Sequence, residues 1–224
     1  TIKSAGLKWF HVVPSVRHAK RCERAGVDAI IASGHEGGMH IAWEPVHTMV
    51  LLPAVVRAVN IPVIGAGGFC DGASLVAALA LGAVGVQMGT RFLATRESDF
   101  TQMHKDYIVK CGERDTTVAR GVVGPARYLK NQASTELTRL TVTKAPGLYL
   151  GQPDDLTTVA REVMDKEDEG FNALYSGDES KALIPGGEAA GRITDLPPVK
   201  ELVERIVKEA EEIIRNLPQT LMSV

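Results

Sequence analysis

The sequence predicts an α/β protein that contains the C-terminal half of a (β/α)8 TIM barrel. Short apolar runs alternate with helical runs between Trp9 and Leu93, which is the rhythm of parallel α/β folds. Glycine or threonine ends several strands, as at the C-terminal face of a barrel, where ligand loops lie. A doubly wound sheet is the alternative, but GAGGFCDG at 65–72 lacks the GxGxxG-plus-acid spacing of a dinucleotide-binding unit. The barrel is therefore favoured.

The predicted strands are short and apolar, which is typical of strands buried in a parallel sheet. They are WFHVVPSV at 9–16, VDAIIASG at 27–34, IPVIGAGGF at 61–69 and AVGVQMGTRFL at 83–93. The helices predicted between them are RHAKRCERAG at 17–26, EPVHTMVLLPAVVRAVN at 44–60 and DGASLVAALALG at 71–82. Gly26 ends the first helix and Asp71 is the expected N-cap of the third. In the second helix we expect Pro45 near the first turn and a kink at Pro53.

After Glu97 the sequence predicts helix-like and irregular segments in place of the β/α alternation. We therefore predict β/α units of the barrel at 1–98, a mainly helical cap at 99–193, and a C-terminal helix at 194–224 that packs back on the barrel. Only four β/α units are visible, whereas a barrel needs eight. We expect a longer chain or a second polypeptide to supply the N-terminal half, and this chain alone not to close a barrel.

Composition excludes several classes of protein. The chain has 224 residues, 45% hydrophobic and 23% charged, with a net charge of −2, so no basic excess would attract nucleic acid or an anionic membrane. No apolar run reaches the roughly 18 residues that a membrane span requires. The cysteines Cys22, Cys70 and Cys111 are widely separated and form no disulfide framework, so we expect a reducing cytoplasm.

Two consecutive predicted strands end in glycine, which favours a phosphate site. Gly67 and Gly68 follow the third strand and precede a helix start, and Gly89 and Thr90 end the fourth strand. Backbone N–H groups of glycines approach an anion closely, and a helix N-terminus adds favourable partial charge. A single such loop is equally consistent with a tight turn, but two together predict a phosphorylated cofactor or substrate. Arg91 is either a further phosphate ligand or a structural ion-pair residue.

The loop SGHEGGMH at 33–40 contains two histidines. A metal site is disfavoured because the nearby additional ligands are Glu36 and His47, without the spacing of a zinc site. Acid/base chemistry suits a histidine better, since it titrates near neutral pH. A histidine hydrogen-bonded to loop backbone is the alternative, and composition does not choose between His35 and His40.

Three stretches together resemble a known family. GHEGGMH at 34–40, PVIGAGGFCDG at 62–72 and LGAVGVQMGTRFLATRES at 81–98 resemble the nitronate monooxygenase (2-nitropropane dioxygenase) family, which includes flavin-dependent enoyl-ACP reductases and CoA-ester reductases. The resemblance runs nearly continuously from about Val12 to Ser98, and ARYLKNQ at 126–132 and GGEAAGRI at 186–193 are weaker echoes.

The resemblance implies an FMN-binding TIM barrel with a helical cap. It assigns the active-site histidine to His40 and leaves His35 as a loop residue. It assigns the flavin site to Gly67, Gly68, Gln87, Gly89 and Thr90, with the glycines and the threonine at the phosphate. Family members also extend further toward the N-terminus than this chain.

Several positions depart from the family pattern. Met39 replaces the glycine that precedes the histidine, and Ala42, followed by Trp43, replaces a later glycine. Glu188 replaces a glutamine in the late glycine-rich segment. These departures add bulk or change polarity, so we expect them to alter substrate contacts.

The resemblance implies oxidation of alkyl nitronates by O2 to carbonyl compounds and nitrite. The first alternative is an enoyl-ACP or acyl-CoA ester reductase that takes electrons from NADH or NADPH. The second is a non-catalytic subunit of a split flavoenzyme. The amphipathic helices are compatible with a homodimer.

Overall fold

The computed structural model describes residues 2–154 and 158–222. Its strands are β1 Phe10–Val13, β2 Ala29–Ser33, β3 Met39–His40, β4 Val63–Ala66, β5 Gly85–Gln87, β6 Thr116–Arg120 and β7 Pro125–Leu129. Its α-helices are α1 Val16–Arg24, α2 Thr48–Val56, α3 Gly72–Ala80, α4 Thr90–Leu93, α5 Gln102–Lys110, α6 Gln132–Lys144, α7 Arg161–Ser176 and α8 Val199–Met222.

The chain divides into two compact units, which differ from the predicted division. The first unit comprises Thr1–Gly34, Val46–Met88 and Pro197–Val224, of which residues 1, 223 and 224 lie outside the described part. The second unit comprises His35–Pro45 and Gly89–Leu196, of which 155–157 are likewise outside it. The loop that carries both histidines therefore belongs to the same unit as the later half of the chain.

The first unit is built on a parallel sheet with strand order β1-β2-β4-β5, which confirms the α/β class. Its core is mainly aliphatic and includes the fully buried Ile30, Leu52 and Val55. Because β1 and β5 are edge strands, each has a neighbour on one side only among the described residues. On β1, Phe10 is 54% and Val12 51% exposed, so this edge strand carries uncovered apolar side chains.

The C-terminal helix α8 packs against α3 in the same unit. A Cβ at Gly72 would lie 2.6 Å from the carbonyl oxygen of Ile206 and 2.6 Å from the nitrogen of Ala210, so the two helices approach backbone to backbone. Asp71 caps α3 as predicted, since its side chain accepts a hydrogen bond from the N–H of Ser74. No helix within the described ranges has the length and apolarity of a membrane span.

Among the predicted boundaries that were wrong, two lie next to the candidate site residues. Helix α2 begins at Thr48 rather than at the Pro45 turn, because the Thr48 hydroxyl bonds the carbonyl oxygen of Gly67 at 2.8 Å and anchors the helix start there. The fourth strand ends at Gln87, and Thr90–Leu93 is helical. The N–H groups of Phe92 and Leu93 both donate to the carbonyl of Gly89, so this segment forms a helical turn instead of continuing the strand.

The second unit contains an antiparallel sheet with strand order β3-β7-β6, which the sequence did not predict. Strands β6 and β7 form a hairpin whose turn is closed by a hydrogen bond from Gly121 N–H to the Gly124 carbonyl. Every residue of β7 is buried, so the period-two alternation that reveals a strand is missing. Helices α6 and α7 pack together, and α6 also packs against β6.

Candidate functional site

The turn after β4 requires glycine. Gly67 and Gly68 have φ values of 86° and 88°, in the left-handed region that favours glycine. A Cβ at Gly67 would lie 2.7 Å from the carbonyl oxygen of Gly34, and Gly34 N–H in turn donates to Ala66 at 2.9 Å. The turn is thus held close against the end of β2.

The N–H groups of Gly67 and Gly68 have no acceptor within residues 2–154 and 158–222. Consecutive N–H groups in such a turn can bind an anion, so the first unit fits this part of the predicted phosphate site. We also expected the N-terminus of α3 to attract the phosphate, and here the structure differs. The N–H of Gly72 donates instead to the Glu209 carboxylate at 2.9 Å, so a side chain of α8 already supplies the negative charge there.

Gln87 ends β5 and lies opposite Ala66 in the parallel register. Its side chain is exposed. The structure therefore brings Gln87 beside the strand that leads into the glycine turn. Gly67, Gly68 and Gln87 all belong to the first unit, whereas His40, Gly89 and Thr90 belong to the second.

Thr90 is buried, and its hydroxyl oxygen accepts a hydrogen bond from Gly187 N–H at 2.9 Å. A hydroxyl both donates and accepts, so its proton remains able to bond a further oxygen. The neighbouring Arg91 forms an ion pair with Asp195 at 3.0 Å and also donates to the carbonyls of Ala94 and Asp195. Of the two alternatives for Arg91, the structure shows the structural ion pair.

The strand β3 carries His40. In its antiparallel pairing with β7, Met39 lies opposite Arg127 and His40 opposite Ala126. The N–H of Ile41 donates to the Pro125 carbonyl at 3.0 Å and extends this pairing. The His40 side chain is exposed and bonds no other side chain or backbone group among the described residues, so it is accessible for chemistry.

Met39 has a φ of 59° and is the non-glycine residue with left-handed backbone in the described chain. An L-residue in this region is destabilised by roughly 1–2 kcal/mol. The conformation explains why the family pattern has glycine here. The Met39 side chain packs against the cluster that contains Ala126, Tyr128 and Leu183, and this burial offsets the backbone strain.

Arg127 supports the histidine loop, a role that the sequence did not predict. Its buried guanidinium pairs with Glu188 at 2.9 Å, donates to Thr116 Oγ1 at 2.8 Å and donates to the His35 carbonyl at 2.9 Å. Burial lowers the pKa of Arg127, while the carboxylates of Glu188 and Glu36 raise it. The single arginine among the apolar residues of PARYL was the sequence feature that could have indicated a buried, paired charge.

Two glycine-rich segments near Arg127 pack against each other. A Cβ at Gly38 would lie 2.6 Å from the backbone of Gly186, and one at Gly187 would lie 2.7 Å from the Glu36 carbonyl oxygen. The N–H of Glu188 also donates to that carbonyl at 2.9 Å. The segments containing GHEGGMH and GGEAAGRI therefore pack directly, main chain on main chain.

Trp43, one of the departures from the family pattern, contacts Arg120, whose guanidinium lies 5.1 Å from the centre of the indole ring system. Arg120 is buried and forms an ion pair with Asp154 at 2.7 Å. The ring thus has a cation–π partner within its own unit. No group of three or more potential metal-ligating side chains occurs in the described parts of the chain.

Comparison with known proteins identifies the family. The profile of the family described as "Nitronate monooxygenase" matches residues 1–209. The chain belongs to the nitronate monooxygenase family. This confirms the resemblance inferred from the three sequence stretches.

Among relatives of this nitronate monooxygenase family chain, "(3aS,4S,5R,7aS)-5-hydroxy-7a-methyl-1-oxo-octahydro-1H-indene-4-carboxyl-CoA dehydrogenase" of Rhodococcus jostii is 36% identical over 93% of this chain and 66% of its own length. A "Probable nitronate monooxygenase" of Staphylococcus aureus is 39% identical over 96% of this chain and 59% of its own. The structure of FabK from Thermotoga maritima is similar with a TM-score of 0.84 and 37% identity, over 98% of this chain and 66% of that one. The chain thus spans less than two thirds of the length of each of these three proteins.

Proposed function

We propose that the protein is an FMN-dependent oxidoreductase that converts alkyl nitronates and O2 to carbonyl compounds and nitrite. The match to the nitronate monooxygenase profile over residues 1–209 carries this proposal. The glycine turn, in which two N–H groups have no acceptor in the described part of the chain, supports the binding of a phosphorylated cofactor. We assign Gly67, Gly68, Gly89 and Thr90 to the phosphate and Gln87 to the flavin.

When bound, the flavin would supply the electron transfer, since cofactors carry chemistry that side chains cannot perform. His40 would act as a base toward the substrate or as a hydrogen-bond donor to its nitro oxygens. Its exposed side chain and its position on β3 support that role. The cluster under Met39 would keep this short strand in place.

Replacement of His40 tests the mechanism. We expect His40→Ala to lower turnover of an alkyl nitronate by about 10²–10⁴-fold, the usual contribution of an acid/base group. The flavin absorption spectrum should stay nearly unchanged. His35→Ala is the matched control, because we assign no chemistry to the His35 imidazole. Equal turnover in the wild type and His40→Ala would remove His40 from the mechanism.

The second candidate is a flavin-dependent reductase of enoyl-ACP or acyl-CoA substrates. The likeness to FabK and to the Rhodococcus jostii dehydrogenase of a CoA ester favours it. Anaerobic mixing separates the two candidates. Rapid bleaching of the flavin by NADH or NADPH would support the reductase, and bleaching by alkyl nitronates alone would support the oxygenase.

The cofactor assignment has a separate test. Gly68→Ala should weaken FMN retention because its left-handed φ of 88° disfavours any side chain. Flavin content after gel filtration measures this effect. Failure of the wild-type protein to bind FMN would instead favour the third hypothesis, a non-catalytic subunit.

We also propose that further strands, from the same polypeptide or another, pair with the exposed edge strand β1. The uncovered Phe10 and Val12 and the greater length of the relatives support this. The native mass, measured with its partner chains, distinguishes one longer chain, two different chains and a homodimer. A stable, flavin-loaded monomer of these 224 residues alone would contradict it.

A further inference from the structure

We propose that Arg127, through its ion pair with Glu188, is a positioning residue that holds the His40 loop, residues 35–41, in one conformation. The part that concerns turnover rests on the proposed role of His40. The structural part concerns the loop alone.

Arg127 reaches the loop at both ends. Its guanidinium donates to the His35 carbonyl at 2.9 Å, where the loop begins. Its backbone lies opposite Met39 in the β3–β7 pairing, near the other end of the loop. A single residue of β7 therefore contacts the loop on either side of Gly37 and Gly38, the residues with the most backbone freedom.

Glu188 completes the arrangement. Its carboxylate lies 2.9 Å from the Arg127 guanidinium, and its N–H donates to the Glu36 carbonyl at 2.9 Å. The Arg127 side chain is 6% exposed, so its charge needs a partner, because an unpaired buried charge is strongly destabilising. The ion pair thus fixes the guanidinium in the orientation that bonds the loop.

Arg127 contacts two positions that depart from the family pattern. Met39 and Glu188 lie far apart in sequence, yet each contacts Arg127, one through strand pairing and the other through the ion pair. The φ of 59° at Met39 is strained, so the contacts of Arg127 add to the packing of the Met39 side chain in holding this part of the loop. We infer that Glu188 acts on the loop rather than on the substrate.

The test uses Glu188→Gln, which keeps the shape but removes the charge, and Arg127→Lys, which keeps the charge but loses the planar fork. Glu162→Gln is the matched control, because it removes an exposed ion pair with Lys144 in the same unit. Amide hydrogen exchange of peptides covering 35–41 is measured on the intact, flavin-loaded protein. We expect exchange about ten-fold faster in both loop variants, the scale for a lost charge-assisted hydrogen bond, and no change in the control.

Steady-state kinetics supply the second measurement. Both loop variants should lower kcat more than they raise KM, with unchanged flavin content, and Arg127→Lys should keep more activity than Arg127→Met. Unchanged exchange in both loop variants overturns the proposal, whatever the enzyme does. Faster exchange with unchanged kcat, in a protein where His40→Ala lowers kcat, overturns the positioning role. A His40→Ala variant with full activity contradicts the proposed function instead, and exchange then still decides whether Arg127 holds the loop.

Discussion

The carboxylate of Glu209 on α8 accepts a hydrogen bond from the backbone N–H of Gly72, the first residue of α3, at 2.9 Å. This bond joins the C-terminal helix to the helix that follows the glycine turn. Negative charge at a helix N-terminus is stabilising, and here an internal side chain provides it. The close approach of the two helices depends on the absence of a side chain at Gly72.

Gly72→Ala should therefore destabilise the protein. Its Cβ would lie within 2.6 Å of Ile206, Glu209 and Ala210 atoms, two of them backbone, so α8 must move. We expect a loss of about 1–3 kcal/mol, as for other overpacked sites. Urea unfolding measures the change. Gly85→Ala is the control, since a Cβ there meets nothing within 4 Å, and equal stabilities of the two variants would contradict the packing of α3 on α8.

The strained backbone of Met39 predicts an unusual order of stabilities. Met39→Gly and Met39→Ala both lose the packing of the side chain, but only glycine relieves the φ of 59°. Although glycine usually destabilises relative to alanine, we expect Met39→Gly to be the more stable by about 1 kcal/mol. Thermal unfolding at one pH decides this. A more stable alanine variant would contradict a left-handed backbone at Met39.

Thr90 offers a matched pair of substitutions. Thr90→Val removes the oxygen that accepts a hydrogen bond from the Gly187 N–H and leaves that buried donor unsatisfied. We expect this to lower the free energy of unfolding by about 1–3 kcal/mol. Thr90→Ser keeps the oxygen and should stay close to the wild type. The valine variant should also retain less FMN. Equal stability and equal flavin content in the two variants would argue against both roles.

His104 should make stability fall at acidic pH. It is fully buried, with Nε2 2.7 Å from the Pro185 carbonyl, and burial lowers the pKa of His104 below its ordinary 6.5. Between the lowered pKa of the folded protein and 6.5, the unfolded chain binds a proton at His104 that the folded chain does not bind. The contribution of neutral His104 to the free energy of unfolding is therefore complete above pH 6.5 and is lost as the pH falls toward the pKa of the folded protein.

His104→Gln keeps an N–H donor for Pro185 but does not titrate. The stability of the wild type should therefore decline relative to this variant as the pH is lowered from 7.5 to 5, a range of about one unit or more on either side of the ordinary histidine pKa. Urea midpoints across the range measure the difference. Parallel pH profiles of the wild type and the variant would show that His104 does not contribute to the pH dependence of stability.

Local sequence predicted much of the first unit. Apolar runs marked its four strands, Asp71 was the correct N-cap, and the glycines after β4 adopt the φ values that only glycine takes readily. It failed for β7, because every residue of PARYL is buried and no alternation distinguishes a strand. It also extended β5 too far, because the short segment GTRFL is compatible with strand or helix, and hydrogen bonds to the Gly89 carbonyl make it helical.

For the candidate site, the sequence by itself determined the family, through motifs in which each residue has a local role: the glycine turn, the helix cap and the loop that ends at His40. Only the tertiary structure decided what holds them. Arg127 pairs with Glu188 and Glu209 with Gly72, and no periodicity indicates either partner. The partners of a buried charge or a helix terminus depend on distance in space, which the folded chain sets and linear spacing does not record.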